Sequence, residues 1–367
     1  MKISVITMQG VYNYGSALQS YATLKCFERM GYEAELIDYY PVQMRNYGSV
    51  RQIYTDAKAF HGNPLKSLLI AFAKQPSMRK MKKVFAPFSS KYLNLTDEYM
   101  SGDALIENPP QSDVYCTGSD QVWNNFWNAD FDTAYFLDFA PEGKKRISFA
   151  ASFGRDEITE EELAKVRPLL EKYSAVSVRE DSGLKILENT EIPLKECVLD
   201  PTFMISKDEW RSLANPISDK GYILVYKLHE DSITSEVALE IGKKTGKQVI
   251  RISADYFKRI NGGKTVVAPK VEEFISYILN ADLVVTDSFH ATAFSIGLNI
   301  PFISVQWKMF NDRIGTVLRK TQLENRRVSS VEQALKIYDK KIDFEKVDRL
   351  IADEREKTQD FLNAALK

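Results

Sequence analysis

Cysteine is scarce in this 367-residue chain. Its three cysteines, Cys26, Cys116 and Cys197, stand far apart with no CxxC spacing, which argues against a disulfide framework or a cysteine-built zinc site and fits a reducing cytoplasm. Net charge is nearly absent: 49 Lys plus Arg face 50 Asp plus Glu, a formal balance of -1, so no global attraction to nucleic acid or to an anionic membrane is expected. No uninterrupted apolar stretch approaches the roughly 20 residues of a spanning helix, and the opening "MKISVITMQG" turns polar too soon for a signal peptide. Internal repeats and low-complexity tracts are lacking. Histidine is rare too, with three residues, and one of them lies in an informative place.

What is present is an α/β pattern. Apolar residues make up 44% and charged residues 27%, the balance of a globular protein, and the length suggests two α/β-sized units. "ISVITM", "EAELID", "DVYCTG", "RISFAAS", "AVSVRE" and "ECVLDP" read as buried strands separated by helical stretches, predicting a first Rossmann-like domain over 1–205. A second series, "YILVYKL", "KQVIRIS", "DLVVTD" and "PFISV", predicts another such domain over 218–330. The charged, helical segment 331–367 is expected to cross back toward the first domain. One stretch breaks the charge balance: from Ala57 to Thr96 there is no acid, while Lys58, Lys66, Lys74, Arg79, Lys80, Lys82, Lys83 and Lys91 accumulate beside "LLIAFA". It reads either as a solvated helix pair capping the first domain or as a basic, amphipathic insertion suited to an anionic membrane face.

Open parallel sheets bind ligands at the carboxyl ends of their strands, and three loops have that address. In "QGVYNYGSALQ", Gly10 and Gly15 have Walker-A spacing but lack its Lys, and no GxGxxG is present, so nucleotide fingerprints are weak; a tight turn or an anion-binding loop remain, with Asn13, Tyr14, Gly15 and Ser16 as candidates. In "CTGSDQVWNN", Ser119 and Asp120 precede Trp123 and Trp127, a mixture of polar groups and indoles that suits a sugar, against the plainer reading of a core tryptophan and a helix-capping Asp. In "TDSFHATAFS", Asp287 or Ser288 is expected to cap a helix starting near Phe289, which puts His290 in its first turn. There the helix dipole would lower the imidazole pKa until an anion binds and raises it.

Together, "NYGSALQSYA", "TGSDQVWN", "AASFG", "VSVRED", "VLDPTF" and "TDSFHATAFSIGLNIPF" resemble the polysaccharide pyruvyl transferase family, in this order and over most of the chain. The resemblance implies a GT-B-like architecture, two Rossmann-type domains facing a cleft. It also implies transfer of the pyruvyl group of phosphoenolpyruvate onto two hydroxyls of a sugar, forming a cyclic ketal and releasing phosphate, with no metal or other cofactor. His290 and Asp120 are then the expected catalytic residues. Arg179, Ser288, Phe289, Arg313, Lys227, Gly15 and Ser16 fall on the donor side, and Asn13, Tyr14, Ser119 and Trp123 on the acceptor side. Many family members carry Arg two residues before this His, where Ser288 stands here; Lys227, Lys308 or Arg313 are the cations that could replace it. The expected acceptor is a sugar, or an oligosaccharide on polyprenyl diphosphate, met in the cytoplasm at the inner membrane face. Two alternatives are a glycosyltransferase of the same architecture using a nucleotide-sugar, and a glycan-binding protein without catalysis.

Overall fold

The computed structural model describes the whole chain except residues 42–47, 126–130, 230–231 and 308–311 and the side chains of residues 60 and 61. Trp127 and Lys308 therefore lie outside the described residues.

The first sheet has seven strands: β1 (Lys2–Ile6), β2 (Glu33–Tyr39), β3 (Leu95–Tyr99), β4 (Val114–Thr117), β5 (Lys145–Ala151), β6 (Ala175–Val178) and β7 (Lys195–Cys197), in the order β3-β2-β1-β4-β5-β6-β7. The second has six: β8 (Tyr222–Tyr226), β9 (Val249–Ser253), β10 (Lys264–Val267), β11 (Ala281–Thr286), β12 (Phe302–Val305) and β13 (Arg327–Val328), in the order β10-β9-β8-β11-β12-β13. All of these pairings are parallel. Their central strands are buried on both faces, as in β8, whose "YILVY" has no exposed residue, which is why they appear as continuous apolar runs rather than alternating ones.

Three strands escaped the sequence reading: β3, β10 and β13. Each is an edge strand or a very short one, with polar or half-exposed residues such as the "LTDEY" of β3, so none carries the apolar run by which the others were recognised.

The order of each sheet reverses at one point, between β1 and β4 in the first and between β8 and β11 in the second. Such switch points open crevices beyond the strand ends. An aromatic cluster joins the two halves: Tyr14 stacks on Phe274 at 4.5 Å between ring centroids and 8° between planes, with Phe85 at 5.1 Å and Tyr226 at 6.1 Å. Tyr14 also donates to the Pro269 carbonyl at 2.7 Å. The C-terminal helix Phe344–Leu366 lies on the segment leaving the first sheet, where Arg355 donates to the carbonyls of Phe203 and Ile205 and Thr358 accepts from the Leu199 N–H.

The acid-free stretch folds as an antiparallel pair, helices Val50–His61 and Pro64–Tyr92. Asn63 caps the longer helix and Pro64 starts it, a position where its missing N–H is harmless. Ser77, Met81, Phe85 and Phe88 bury one face of its C-terminal half.

Candidate functional site

Both switch points meet around His290. β11 ends at Thr286, and Ser288 is the N-cap of the next helix, Phe289–Gly297, its hydroxyl accepting from the Ala291 N–H at 3.4 Å. His290 thus sits in the first helical turn, 7% exposed. Asp287 does not cap this helix: its carboxylate accepts from the Leu228 and His229 N–H groups at 2.7 and 3.2 Å and so fixes the loop after β8.

The imidazole of His290 lies against the first turn of the helix Tyr14–Arg29. A Cβ on Gly15 would fall 2.1 Å from Nδ1 and 2.3 Å from Cγ, so the ring occupies the space that a side chain there would need. Asn13 caps that helix, accepting from the Gly15 and Ser16 N–H groups. Ser16 donates to Asp120 Oδ2 at 2.5 Å.

Asp120 follows β4 with φ of 86°, a left-handed backbone that costs about 1–3 kcal/mol for a residue with a side chain and is found preferentially at functional sites. Its Oδ1 faces Arg179 Nη2 at 3.2 Å, and the other guanidinium nitrogen, Nη1, reaches Asp200 Oδ2 at 3.1 Å. Asp200 accepts in addition from Ser119 Oγ at 2.8 Å, Thr202 Oγ1 at 2.7 Å and Thr202 N at 3.0 Å, and lies 3.8 Å from His290 Nε2. A buried pair of carboxylates therefore shares one buried guanidinium, which also lies over the Phe289 ring at 4.6 Å.

The charges follow from this packing. Burial alone would raise the carboxyls of Asp120 and Asp200; the Arg179 guanidinium, the imidazole of His290 when it is protonated, and the hydrogen bonds from Ser16 and Thr202 hold both below the usual range. Burial works against the Arg179 charge, yet Asp120, Asp200 and Glu180 keep its pKa above the ordinary value. His290 lies below its ordinary value of 6.5: burial is the largest cause, Arg179 and Arg313 add to it, and Asp200 and Asp120 oppose it. The direction matches a ring at a helix start, but burial rather than the dipole leads. Burial and Arg179 also bring Arg313 down to about 10 against the pull of Glu180, Asp120 and Asp156.

Among the described residues, Nε2 of His290 and Nε of Arg313 are buried without a hydrogen-bond partner, while Nε of Arg179 and Oε2 of Glu180 face each other at 4.0 Å, too far for a hydrogen bond. Buried polar groups are seldom left so, which marks the two nitrogens of His290 and Arg313 as able to meet a polar group. Arg313 begins the helix Asp312–Thr321, which is docked on the first domain by Asp312 and Thr316 accepting from the Ser182 and Asp181 N–H groups at 2.8 and 3.1 Å.

Several residues stand elsewhere than the sequence reading had them. Trp123 is 1% exposed, stacks on Phe136 and donates from Nε1 to the Tyr135 carbonyl at 2.9 Å, so it is core and offers no face to a sugar. Tyr14 is occupied between the two sheets. Ser119 is fully buried, its hydroxyl donating to Asp200. Arg179, expected on the donor side, has both Nη atoms bound to carboxylates instead. Ser288 is the helix cap expected of it, its hydroxyl oxygen accepting from the Ala291 N–H. Lys227 lies outside the His290 cluster, its Nζ 3.4 Å from the Ser232 carbonyl, and with Asn13, Tyr12, Arg251 and Asp255 it lines a cavity of about 150 Å³ beyond β1, β8 and β9. The sequence reading missed Asp200 and Glu180. Asp200 ends an apolar run in "VLDPTF", a strand-end carboxylate of the same kind as Asp120, and that was the available signal.

The sequence profile described as polysaccharide pyruvyl transferase matches residues 13–308. The chain belongs to the polysaccharide pyruvyl transferase family. Among curated proteins no match is found. Solved structures similar to this transferase include the UDP-N-acetylglucosamine 2-epimerase of Rickettsia bellii, with TM-score 0.57 at 9% identity over 99% of this chain and 96% of that one. Another is the Neisseria meningitidis UDP-GlcNAc 2-epimerase bound to UDP-GlcNAc, with TM-score 0.55 at 10% identity over 99% and 100%. At such identity they bear on fold alone, and the fold is GT-B: two Rossmann-type halves facing a cleft.

Proposed function

We propose that this transferase moves the pyruvyl group of phosphoenolpyruvate onto two hydroxyls of one sugar residue. The observation that carries the reading is His290 Nε2, a buried, unpaired nitrogen beside two ionised carboxylates where the two switch points meet.

The chemistry asks for a proton at C3 of the donor, cations for its carboxylate and phosphate, and an acceptor for hydroxyl protons. His290 supplies the first. It is neutral in the empty site, and an arriving enol phosphate replaces solvent with negative charge and raises its pKa, so donor and proton arrive together. As C3 takes the proton, C2 becomes electrophilic and one sugar hydroxyl adds to it, its proton passing to Asp120. Phosphate then departs from C2, and the second hydroxyl closes the ketal, its proton leaving with the phosphate. Asp120 then returns its proton to His290, so that over one turnover the first hydroxyl's proton makes good the one given to the methyl group and the second hydroxyl's proton leaves on phosphate. Arg313, partly exposed and unpaired at Nε, is the cation for the donor, while Arg179 keeps Asp120 and Asp200 ionised and in place. Arg313 would then supply charge that Ser288 cannot.

Asn13 and Lys227 belong in this reading to the acceptor side, through the cavity they line, and an acceptor carried on a lipid diphosphate suits that cavity's cations. The nucleotide-sugar alternative draws on fold likeness, as in the Neisseria relative that holds UDP-GlcNAc. Phosphate release separates the two: it should require both phosphoenolpyruvate and an added saccharide and should vanish in a folded His290→Ala variant. Stabilisation by UDP-sugars together with indifference to phosphoenolpyruvate would overturn the proposal.

A further inference from the structure

The helical hairpin has two unlike ends. Residues 50–92 carry nine cations and one acid, Asp56. The C-terminal half of the helix Pro64–Tyr92 is anchored: Ser77 donates to Asp255 Oδ1 at 3.2 Å and accepts from the Tyr256 N–H at 3.1 Å, and Met81 reaches the 150 Å³ cavity that Asn13 and Lys227 also line. One face of the N-terminal half is covered by none of the described residues. Leu65, Leu68, Leu69 and Phe72 are 76, 42, 73 and 58% exposed. Their spacing is that of a single helical stripe, and exposed apolar groups clustered in this way mark an interaction surface. The stripe starts about 24 Å along the helix axis from Met81, at 1.5 Å per residue.

We infer that this stripe docks the protein on an anionic lipid surface. The apolar side chains enter the headgroup boundary, and Lys66, beside them on the same helix, and Lys58 of the shorter helix sit among lipid phosphates. Two features select lipid over protein. The stripe is aliphatic and phenyl only, with no hydrogen-bonding group to orient a protein partner. A second copy of the chain would bring an equally cationic hairpin, and like charge opposes that pairing. Among the described residues no helix is long and apolar enough to cross a membrane, so the contact is superficial. Docking does not depend on the pyruvyl transfer reading. If both hold, the anchored end of the hairpin brings the cavity close to a lipid-linked acceptor.

The test is co-sedimentation of the full-length protein with vesicles of phosphatidylcholine alone and with about a third phosphatidylglycerol. The expected result is binding to the anionic vesicles, weakened by salt and reduced about fivefold for each lysine in Lys58→Gln and Lys66→Gln. The triple variant Leu65→Ser/Leu69→Ser/Phe72→Ser should lose binding by tenfold or more, on the order of one buried apolar side chain per decade, with circular dichroism and unfolding midpoint unchanged because all three side chains are exposed. Absence of wild-type binding to anionic vesicles overturns the inference, as does triple-variant binding within about twofold of wild type. A wild-type dimer that the triple variant splits, without vesicle binding, assigns the stripe to self-association and also overturns it. Phosphate release with a soluble saccharide, measured in parallel, reports on the catalytic reading separately.

Discussion

Gly15 and His290 come from different halves of the molecule and share one volume, so Gly15→Ala tests whether the imidazole position matters. Gly15 is helical, without positive φ, and in a helix Ala is favoured over Gly by about 0.5–1 kcal/mol. Backbone preference therefore predicts slight stabilisation. Contact predicts otherwise: the new Cβ would lie 2.1 Å from Nδ1, about 1.3 Å short of the 3.4 Å at which ordinary contact begins. His290 cannot yield easily, because Asp200, Asp120 and the Phe289 ring surround it. A shift of about 1 Å in a reacting group costs on the order of 100-fold in rate, while overpacking costs about 1–3 kcal/mol. Phosphate release by Gly15→Ala should therefore fall about 100-fold in kcat/KM, with an unfolding free energy lower by no more than a few kcal/mol. The double variant Gly15→Ala/His290→Ala removes the two closest contacts and leaves the one to the Cβ of residue 290 at 2.7 Å, so it should lose less than the sum of the two single changes. Activity of Gly15→Ala within about threefold of wild type, or a double variant carrying the full penalties of both single changes, would refute the reasoning.

Arg179→Met leaves the buried carboxylates of Asp120 and Asp200 without their shared cation and should cost about 3–5 kcal/mol in urea unfolding; a loss under about 1 kcal/mol would show that the carboxylates do not depend on it. The pH dependence has a definite sign. The folded His290 pKa lies below 6.5, so from 6.5 downward the unfolded chain binds a proton that the buried ring resists, and stability falls as pH drops through that window. Asp120 and Asp200, held below 3.8, extend the fall at lower pH, while Glu180, raised by burial, opposes it near its own range. His290→Gln should flatten the loss between about pH 7 and 5. In kinetics the alkaline limb of kcat/KM, which reports the free enzyme, should lie below that of kcat, which reports the donor complex; coincident limbs would contradict donor-linked protonation. Trp123→Phe should lower stability by about 1–3 kcal/mol and leave the acceptor KM unchanged, since the indole is core.

The two Rossmann-type halves were legible because central strands, buried on both sides, must be apolar throughout, and polar loops mark their ends. Edge strands such as β3 obey no such rule. Within the site, the position of His290 followed from a strand end and a capping serine, both local signals. The partnership of His290 with Gly15 did not, because it joins residues 275 positions apart in sequence. Trp123 was misread for a related reason: "SDQVWNN" puts polar residues beside an indole in sequence, yet the fold sends Asp120 to the cluster and the indole into the core. Asp200 went unnoticed because an Asp before Pro-Thr looks like a cap, which it also is, accepting from Thr202 while its other oxygen binds Arg179 and Ser119.

In the proposed reaction proton delivery to the donor methylene is the central step, and reaction in deuterium oxide reads it directly. With phosphoenolpyruvate and saccharide acceptor, the proton spectrum of the product should show a ketal methyl carrying a single deuterium, with no vinyl signals, and neither product nor phosphate should form with His290→Ala. A product that keeps the vinyl protons, or a saccharide unchanged while a nucleotide-sugar is consumed, would contradict it.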